Sequence, residues 1–125
     1  MDENQISRMV IGCCLKIHRT LGPGLFESVY EEVLIHELCK IKLSSQRQVC
    51  LPVVYDGIHL DLGFRVDIII EQKLIVELKS IETLTSVHKK QLLTYLKLTG
   101  LKLGLLVNFN EELMRNGIIR VVNNL

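Results

Sequence analysis

The segment FRVDIIIEQKLIVELKS, residues 64–80, decides the fold class of this chain. It contains two apolar runs separated by residues 71–73 (Glu-Gln-Lys), a pattern that predicts two strands joined by a tight turn. In the second run, the two-residue period of a strand places Glu77 and Lys79 together on one face. The opposite face is apolar and is formed by Leu74, Val76 and Leu78.

The first run contains a single acidic residue, Asp67, whose position depends on the turn. Strand alternation predicts that Asp67 lies on the face opposite four apolar residues: Phe64, Val66, Ile68 and Ile70. If residues 71–73 form a three-residue loop, residue 70 pairs with residue 74 and Asp67 lies across from Glu77, within about 5 Å. A two-residue loop would send Glu77 to the other face. None of the three loop residues is the glycine that such turns favour.

The predicted pair of carboxylates has a chemical consequence. Two carboxylates that face each other repel unless a positive charge lies between them, and a divalent cation with oxygen ligands is a common solution. Mg²⁺ or Mn²⁺ fits this description, and the neighbouring Lys79 could hold or deprotonate a water molecule beside the metal. The pattern therefore suggests phosphodiester hydrolysis by metal-activated water, whereas an isolated Glu-x-Lys triplet on a strand is more often a solvated charge pair.

The rest of the chain supplies helices before this hairpin and a crossover after it. Helical spacing of apolar residues on both sides of Gly22-Pro23-Gly24 predicts a helical hairpin, and Pro52 marks an edge strand. The predicted helices are 4–21, 25–40 and 85–99, and the predicted strands are 47–55, 59–70, 74–80, 102–108 and a short edge strand at 117–122, with a hairpin turn at Asp56-Gly57. This order predicts an α/β fold with a mixed sheet between helices, in one domain over residues 1–125.

Composition limits the classes of function. The net charge of +1 does not by itself indicate a nucleic-acid binder, so any such role needs a local basic patch. No apolar run is long enough to span a membrane and the start does not resemble a signal peptide, so we expect a cytoplasmic protein. The positive mean hydropathy suggests apolar surface buried against a partner, most simply in a homodimer. We expect the four cysteines to be buried thiols, because their spacing fits neither a zinc site nor a disulfide framework.

A series of motifs along the chain resembles a known family. The segment GLFESVY at residues 24–30 matches the signature GxxExxY, and it is followed by Arg65-x-Asp67, Glu77-x-Lys79 and His88-x-x-Gln91-x-x-x-Tyr95. In this order, over about residues 9–122, the motifs resemble the GxxExxY family, which is assigned to the PD-(D/E)xK nuclease superfamily. The resemblance implies a restriction-endonuclease-like fold. The proline that usually precedes the first aspartate is absent, since Val66 occupies that position.

The resemblance also implies a role for each matching residue. Asp67, Glu77 and the main-chain carbonyl of Leu78 would hold the metal, and Glu27 on the first core helix would assist directly or through water. Lys79 would position the attacking water and stabilise the developing charge. Gln91 would orient the phosphate or Lys79. Catalytic candidates are thus Glu27, Asp67, Glu77, Lys79 and Gln91.

Further residues are candidates for contact with the substrate. Basic side chains near the predicted cleft are Arg65, Lys79, Lys89 and Lys90, with Arg47 as an addition. His88, Gln91 and Tyr95 share one face of their helix. For His88 and Tyr95, a half-buried, hydrogen-bonded position is the more common explanation than direct chemistry. Tyr30 is expected to pack its helix on the sheet while its hydroxyl bonds nearby.

Three functions are compatible with this sequence. The first is a magnesium- or manganese-dependent nuclease acting on DNA or RNA, favoured by the complete set of site residues. The second is a catalytically silent module with the same fold that binds nucleic acid or assembles with a protein, favoured by small size, high apolarity and near-neutral charge. The third is a dimeric structural protein with a buried ion-pair network.

Overall fold

The computed structural model describes the backbone of residues 1–125 and every side chain except those of Asp61 and Leu62. The predicted helices and strands are confirmed, with ends shifted by no more than two residues. A short 3-10 turn at Met114–Asn116 was not predicted. The elements in chain order are α1 (Glu3–Leu21), α2 (Glu27–Lys40), β1 (Ser45–Tyr55), β2 (Ile58–Ile70), β3 (Leu74–Lys79), α3 (Ser86–Thr99), β4 (Leu103–Asn108) and β5 (Ile118–Val122).

The first two helices form the predicted hairpin. α1 starts with a capping box, in which the Gln5 backbone N–H donates to Asp2 and the Asp2 backbone N–H donates to the Gln5 side chain, both at 2.8 Å. The helix ends at Gly22, whose φ of 71° and ψ of −177° suit a residue without a Cβ. Gly24 also has a positive φ, 97°, so the chain reverses direction within a few residues.

Five strands form one mixed sheet in the order β1-β2-β3-β4-β5. All neighbouring strands are antiparallel except β3 and β4, which are parallel and are connected through α3. The helices α1 and α2 cover one face, and α3 covers the other, where Leu92 and Leu96 pack with Ile75 and Leu106. Both faces of β3 are therefore buried, and its predicted α/β setting is confirmed.

The structure bears on two predictions from composition, one about membrane-spanning helices and one about the burial of the cysteines. No helix among the described residues has the length and apolar character needed to cross a membrane. Cys13 and Cys14 are buried as predicted, but the prediction is wrong for Cys39 and Cys50, which are exposed. The reason is position: Cys39 lies in the last turn of α2, and Cys50 lies on the edge strand β1.

The faces of β2 differ from the prediction. Val66 packs in the apolar cluster under α3, together with Leu51, whereas Ile68 and Ile70 pack in the cluster under α1 and α2. Phe64 contacts the ring of Tyr95 on α3, with ring centroids 5.3 Å apart. The prediction that Phe64, Val66, Ile68 and Ile70 share a face is therefore wrong, because strand alternation is interrupted at Asp67.

Both predicted turns are present. At the tip of the β1–β2 hairpin, Asp56 and Gly57 have φ values of 51° and 76°, as expected for the two-residue turn that suits twisted strands. The turn between β2 and β3 has three residues, since Ile70 pairs with Leu74. This confirms the loop length on which the predicted meeting of Asp67 and Glu77 depended.

The β2–β3 turn adopts an unusual conformation without glycine. Glu71 and Gln72 both have positive φ, 52° and 53°. The Glu71 carboxylate accepts hydrogen bonds from the backbone N–H and the hydroxyl of Ser44, at 2.8 and 2.5 Å, and these bonds hold the pKa of Glu71 below its usual value. A long-range contact therefore stabilises a conformation that the local sequence disfavours.

We predict that Glu71→Ala lowers the free energy of unfolding and moves the denaturation midpoint to lower denaturant concentration, because two hydrogen bonds to Ser44 are lost at a strained turn. Chemical denaturation at pH 7 measures this change. Glu112→Ala, at an exposed position, serves as the control and should change stability by less than about 0.5 kcal/mol. Equal effects of the two substitutions would contradict the role assigned to Glu71.

Candidate active site

The candidate site lies where β2 separates from β3. Their regular pairing ends at Ile68 and Val76. Beyond that pair, the Leu78 backbone N–H donates to Asp67 Oδ2 at 2.8 Å, and the Asp67 backbone N–H donates to Glu77 Oε1 at 3.3 Å. Side-chain carboxylates thus accept from backbone N–H groups of both strands, in place of backbone carbonyls. The structure brings Asp67 and Glu77 together as predicted.

Glu77 is held in an environment that opposes its ionisation. Glu77 is only 6% exposed. Burial, followed by the charge of Asp67 and a side-chain hydrogen bond with Asp67, raises the pKa of Glu77 to about 9. The Asp67 backbone N–H and the charge of Lys79 act in the opposite direction. Glu77 is therefore protonated at neutral pH unless additional positive charge is bound nearby.

The helix α3 contributes Tyr95 and Gln91. Tyr95 is 4% exposed, and burial followed by the charges of Glu77 and Asp67 raises its pKa to about 12. A hydrogen bond with the Gln91 side chain has the opposite effect on this pKa. Gln91 itself is exposed, so this partner of the buried tyrosine is accessible to solvent.

A small cavity next to Asp67 lies between α2 and the strands β1, β2 and β3. It is lined by Glu27, Ser28, Glu31, Gln48, Asp67 and Leu78. Glu27 is exposed, and its Oε2 accepts a 3.4 Å hydrogen bond from the Ser80 backbone N–H. Asp67 thus contacts Glu77 on the neighbouring strand, and it lines the same cavity as Glu27.

The residues of the GxxExxY motif build the support for Glu27. The Tyr30 hydroxyl donates to the Gly22 carbonyl at 2.6 Å and accepts from the Leu25 backbone N–H at 3.2 Å. Its ring stacks on Phe109 with centroids 4.2 Å apart. The predicted packing role of Tyr30 is confirmed, and the tyrosine holds together the loop that precedes Glu27.

Lys79 occupies the end of β3 beside the carboxylates. Its side chain is half-buried, and among the described side chains it forms no salt bridge within 4.0 Å. Its backbone is well anchored, since its carbonyl accepts from the Phe109 N–H at 2.9 Å. An ammonium group without a fixed partner is available to a ligand, unlike one committed to a salt bridge.

The basic residues expected at the cleft divide into two groups. Arg65, Lys89 and Lys90 are exposed. Arg47, by contrast, is committed to α2: its guanidinium lies 2.7 Å from Glu31 and 2.7 Å from Glu32, and both carboxylates raise its pKa. The suggestion that Arg47 adds free positive charge to the cleft is therefore wrong. A pair of α2 carboxylates neutralises it.

His88 has a structural partner. Its Nδ1 accepts from the Thr85 backbone N–H at 3.0 Å, which caps the first turn of α3. His88 is therefore a half-buried, hydrogen-bonded residue, as predicted. The imidazole Nε2 is left for other contacts.

A comparison with protein families decides the relationship of the chain. The family model for the PD-(D/E)XK nuclease superfamily matches residues 4–121. The chain belongs to the PD-(D/E)XK nuclease superfamily. No curated protein and no solved structure matches the chain. Assignment to the GxxExxY family within the superfamily stays a prediction.

Membership in the superfamily agrees with the mixed sheet and the N-terminal helices, and the restriction-endonuclease-like fold is confirmed. Nucleases of this superfamily generally use divalent metal ions. The carboxylates of Asp67 and Glu77 are suitable donors for a hard divalent cation, and their mutual repulsion favours one. Among the described side chains, no group of three or more His, Cys, Asp or Glu is already arranged to hold a metal.

Sequence reasoning missed two residues, Asn108 and Glu31, that support the candidate site. Asn108 is completely buried, and its side chain accepts from the Ile81 N–H and donates to the Ile81 carbonyl, at 3.1 and 2.9 Å. It thereby fixes the chain that follows Lys79. A polar residue at the end of an apolar strand was the available signal. Glu31 was also missed, although it lies four residues after Glu27 and so shares its helix face.

We predict that Glu77→Gln stabilises the metal-free protein at high pH. The folded state holds the Glu77 proton to about pH 9, whereas the unfolded state releases it near 4.5, so stability falls as pH rises between these values. Denaturant unfolding in chelator should show the advantage of the variant growing by up to about 1.4 kcal/mol for each pH unit above 4.5, so that it is large at pH 8 and small at pH 4.5.

Glu112→Gln, at an exposed position, is the matched control and should keep the pH dependence of the original chain. If Glu77→Gln also keeps that pH dependence, the electrostatic conflict between Asp67 and Glu77 is refuted.

Proposed function

We propose that this protein is a metal-dependent nuclease that hydrolyses phosphodiester bonds of DNA or RNA. One observation carries the proposal: the carboxylates of Asp67 and Glu77 meet where two strands separate, and Lys79, whose ammonium forms no salt bridge with the described side chains, follows two residues after Glu77. Two acidic groups in contact at a largely buried position cost more free energy than the two backbone hydrogen bonds they accept require. This cost is explained by a role in binding a cation beside a phosphate.

The chain supplies oxygen donors suited to Mg²⁺ or Mn²⁺. We assign Asp67, Glu77 and the carbonyl of Leu78 as direct ligands, with Glu27 contributing directly or through water. When bound, such a cation lowers the pKa of a water molecule and polarises a phosphate oxygen. The cavity shared by Glu27, Asp67 and Leu78 supports this assignment.

Lys79 and Gln91 have proposed roles in handling water and phosphate. The Lys79 ammonium holds the attacking water with one of its three donors and stabilises negative charge on the phosphate with another. The Gln91 amide, bonded to Tyr95, orients the phosphate or Lys79. Lys79 lies at the end of β3 next to Glu77, and Gln91 lies on α3, which covers the same face of the sheet as Tyr95.

Contacts to the substrate backbone are assigned to exposed cations. Arg65, Lys89 and Lys90 are free to bind phosphates. His88 can add a contact through Nε2, and Tyr95 acts on the substrate through Gln91. So few cations imply a short footprint on the nucleic acid and an affinity that depends on salt.

We predict that the purified protein cleaves DNA or RNA when Mg²⁺ or Mn²⁺ is added, and that Lys79→Ala reduces the cleavage rate about hundredfold or more. Supercoiled, linear and single-stranded substrates should be compared on gels, with and without chelator. Loss of the ammonium removes a water-positioning and charge-stabilising group while leaving the fold intact.

The matched control is Lys102→Ala. Lys102 is exposed and lies just before β4, at the opposite end of the β3–β4 pair from Lys79. Its substitution should leave cleavage unchanged. If no substrate is cut in a manner that depends on both metal and Lys79, the proposed activity is abandoned.

A second candidate function, a catalytically silent module for nucleic-acid binding or protein assembly, is favoured by the β1–β2 hairpin. Only Ile68 to Ile70 of β2 pair with β3, so most of this hairpin is a ribbon of two strands. Val54, Tyr55 and Ile58 near its tip are 57%, 72% and 57% exposed. Exposed apolar side chains on an edge ribbon are typical of association surfaces.

We propose that a second copy of the chain occupies this ribbon, giving a homodimer, and predict that Tyr55→Ser with Ile58→Ser shifts the protein to monomer. Sedimentation velocity at micromolar concentration measures the state. Val122→Ser, at an exposed apolar position on the other edge strand, is the control and should leave the dimer intact. A monomeric original chain would exclude the dimer without bearing on cleavage.

A further inference from the structure

The strand β1 contains a local irregularity directly beside the carboxylate pair. Arg47 pairs with Ile68 and Val49 pairs with Val66, but the intervening residues, Gln48 and Asp67, do not form a regular pair in the described backbone. Gln48 has a φ of 50°, in the left-handed region that residues with a side chain rarely adopt. Such a conformation is strained for a residue with a Cβ, so other contacts must maintain it.

Those contacts come from α2. Gln48 Nε2 donates to Glu31 Oε1 at 2.7 Å, while Arg47 Nε and Nη2 donate to Glu31 Oε2 at 3.2 and 2.7 Å. Successive side chains of an extended strand point to opposite faces. Arg47 and Gln48 nevertheless reach the same carboxylate, and the left-handed backbone of Gln48 allows this.

The irregularity coincides with the interruption of β2. On one side of Asp67, Val66 faces α3, and on the other, Ile68 faces α1 and α2. At the point of change, the Asp67 carboxylate accepts from the Leu78 N–H. Gln48, Glu31 and Asp67 also line the same cavity, so the distorted part of β1 lies beside Asp67.

We propose that Gln48 is a positioning residue for Asp67, and that it acts through its backbone conformation. The Glu31 carboxylate, fixed by Arg47, holds Gln48 in the left-handed region, and the resulting break in β1–β2 pairing turns Asp67 towards Glu77 and Leu78. As a statement about metal binding, this rests on the proposed function. As a statement about Asp67, it can be tested without any metal.

The test compares two substitutions of Gln48 that differ in backbone preference. Glycine adopts positive φ without strain, so Gln48→Gly keeps the break, whereas a β-branched valine strongly disfavours that region, so Gln48→Val restores extended pairing. Gln46→Val is the matched control, because Gln46 is exposed on the same strand and pairs regularly with Ile69.

Amide hydrogen exchange by NMR in chelator gives the first measurement. The Leu78 N–H, the donor to Asp67, should exchange at least about tenfold faster in Gln48→Val and within about threefold of the original rate in Gln48→Gly and Gln46→Val. Glu31→Ala should also accelerate this exchange. Adding Gln48→Gly to Glu31→Ala should restore protection, which a purely structural loss of the Glu31 contacts would not allow.

The affinity for Mn²⁺, measured by electron paramagnetic resonance without nucleic acid, gives the second measurement. Gln48→Val should weaken it by about tenfold or more, and Gln48→Gly should preserve it. Equal Leu78 protection in Gln48→Val and the original chain overturns the inference, as does equal loss in Gln48→Val and Gln48→Gly. If the original chain binds no Mn²⁺, the metal assignment fails, while Leu78 exchange still decides the role of Gln48.

Discussion

The structure depends on a local replacement of backbone hydrogen bonds by carboxylates. Where β2 leaves β3, Asp67 accepts from the Leu78 N–H and Glu77 accepts from the Asp67 N–H. This replacement satisfies backbone donors that would otherwise be unpaired at a strand divergence. It also forces two acidic groups together in a largely buried position, which raises the pKa of Glu77.

The surrounding fold tolerates this conflict because the rest of β3 is apolar and well buried. Both faces of the strand are covered, one by α1 and α2 and the other by α3. The large apolar area removed from water offsets the cost of the acidic pair. Apolar packing around β3 thus stabilises the fold, while the acidic pair near the end of the strand destabilises it, a combination that is common at functional sites.

Much of the surrounding polar structure serves to position the site rather than to face solvent. Tyr30 secures the loop before Glu27, and Asn108 secures the chain after Lys79. The Glu31 network reaches Asp67 from a third direction through Gln48. The structure therefore gives the tyrosine of the GxxExxY signature a supporting role. Tyr30 fixes the loop that precedes Glu27, and the Glu27 carboxylate accepts from the Ser80 backbone N–H.

The amino-acid sequence alone determined the helices and the strands, because local periodicity is visible in neighbouring residues. It left two lengths open for the turn between β2 and β3, and only the tertiary structure decided on three residues and so on the meeting of Asp67 with Glu77. The physical reason is that contacts with the distant Ser44 stabilise a turn conformation that residues 71–73 disfavour. Tertiary structure decided the change of face in β2 and the neutralisation of Arg47, because both depend on Glu31, a residue far away in sequence. Alternation rules assume a regular strand, and a hydrogen bond from a distant helix is sufficient to break that regularity.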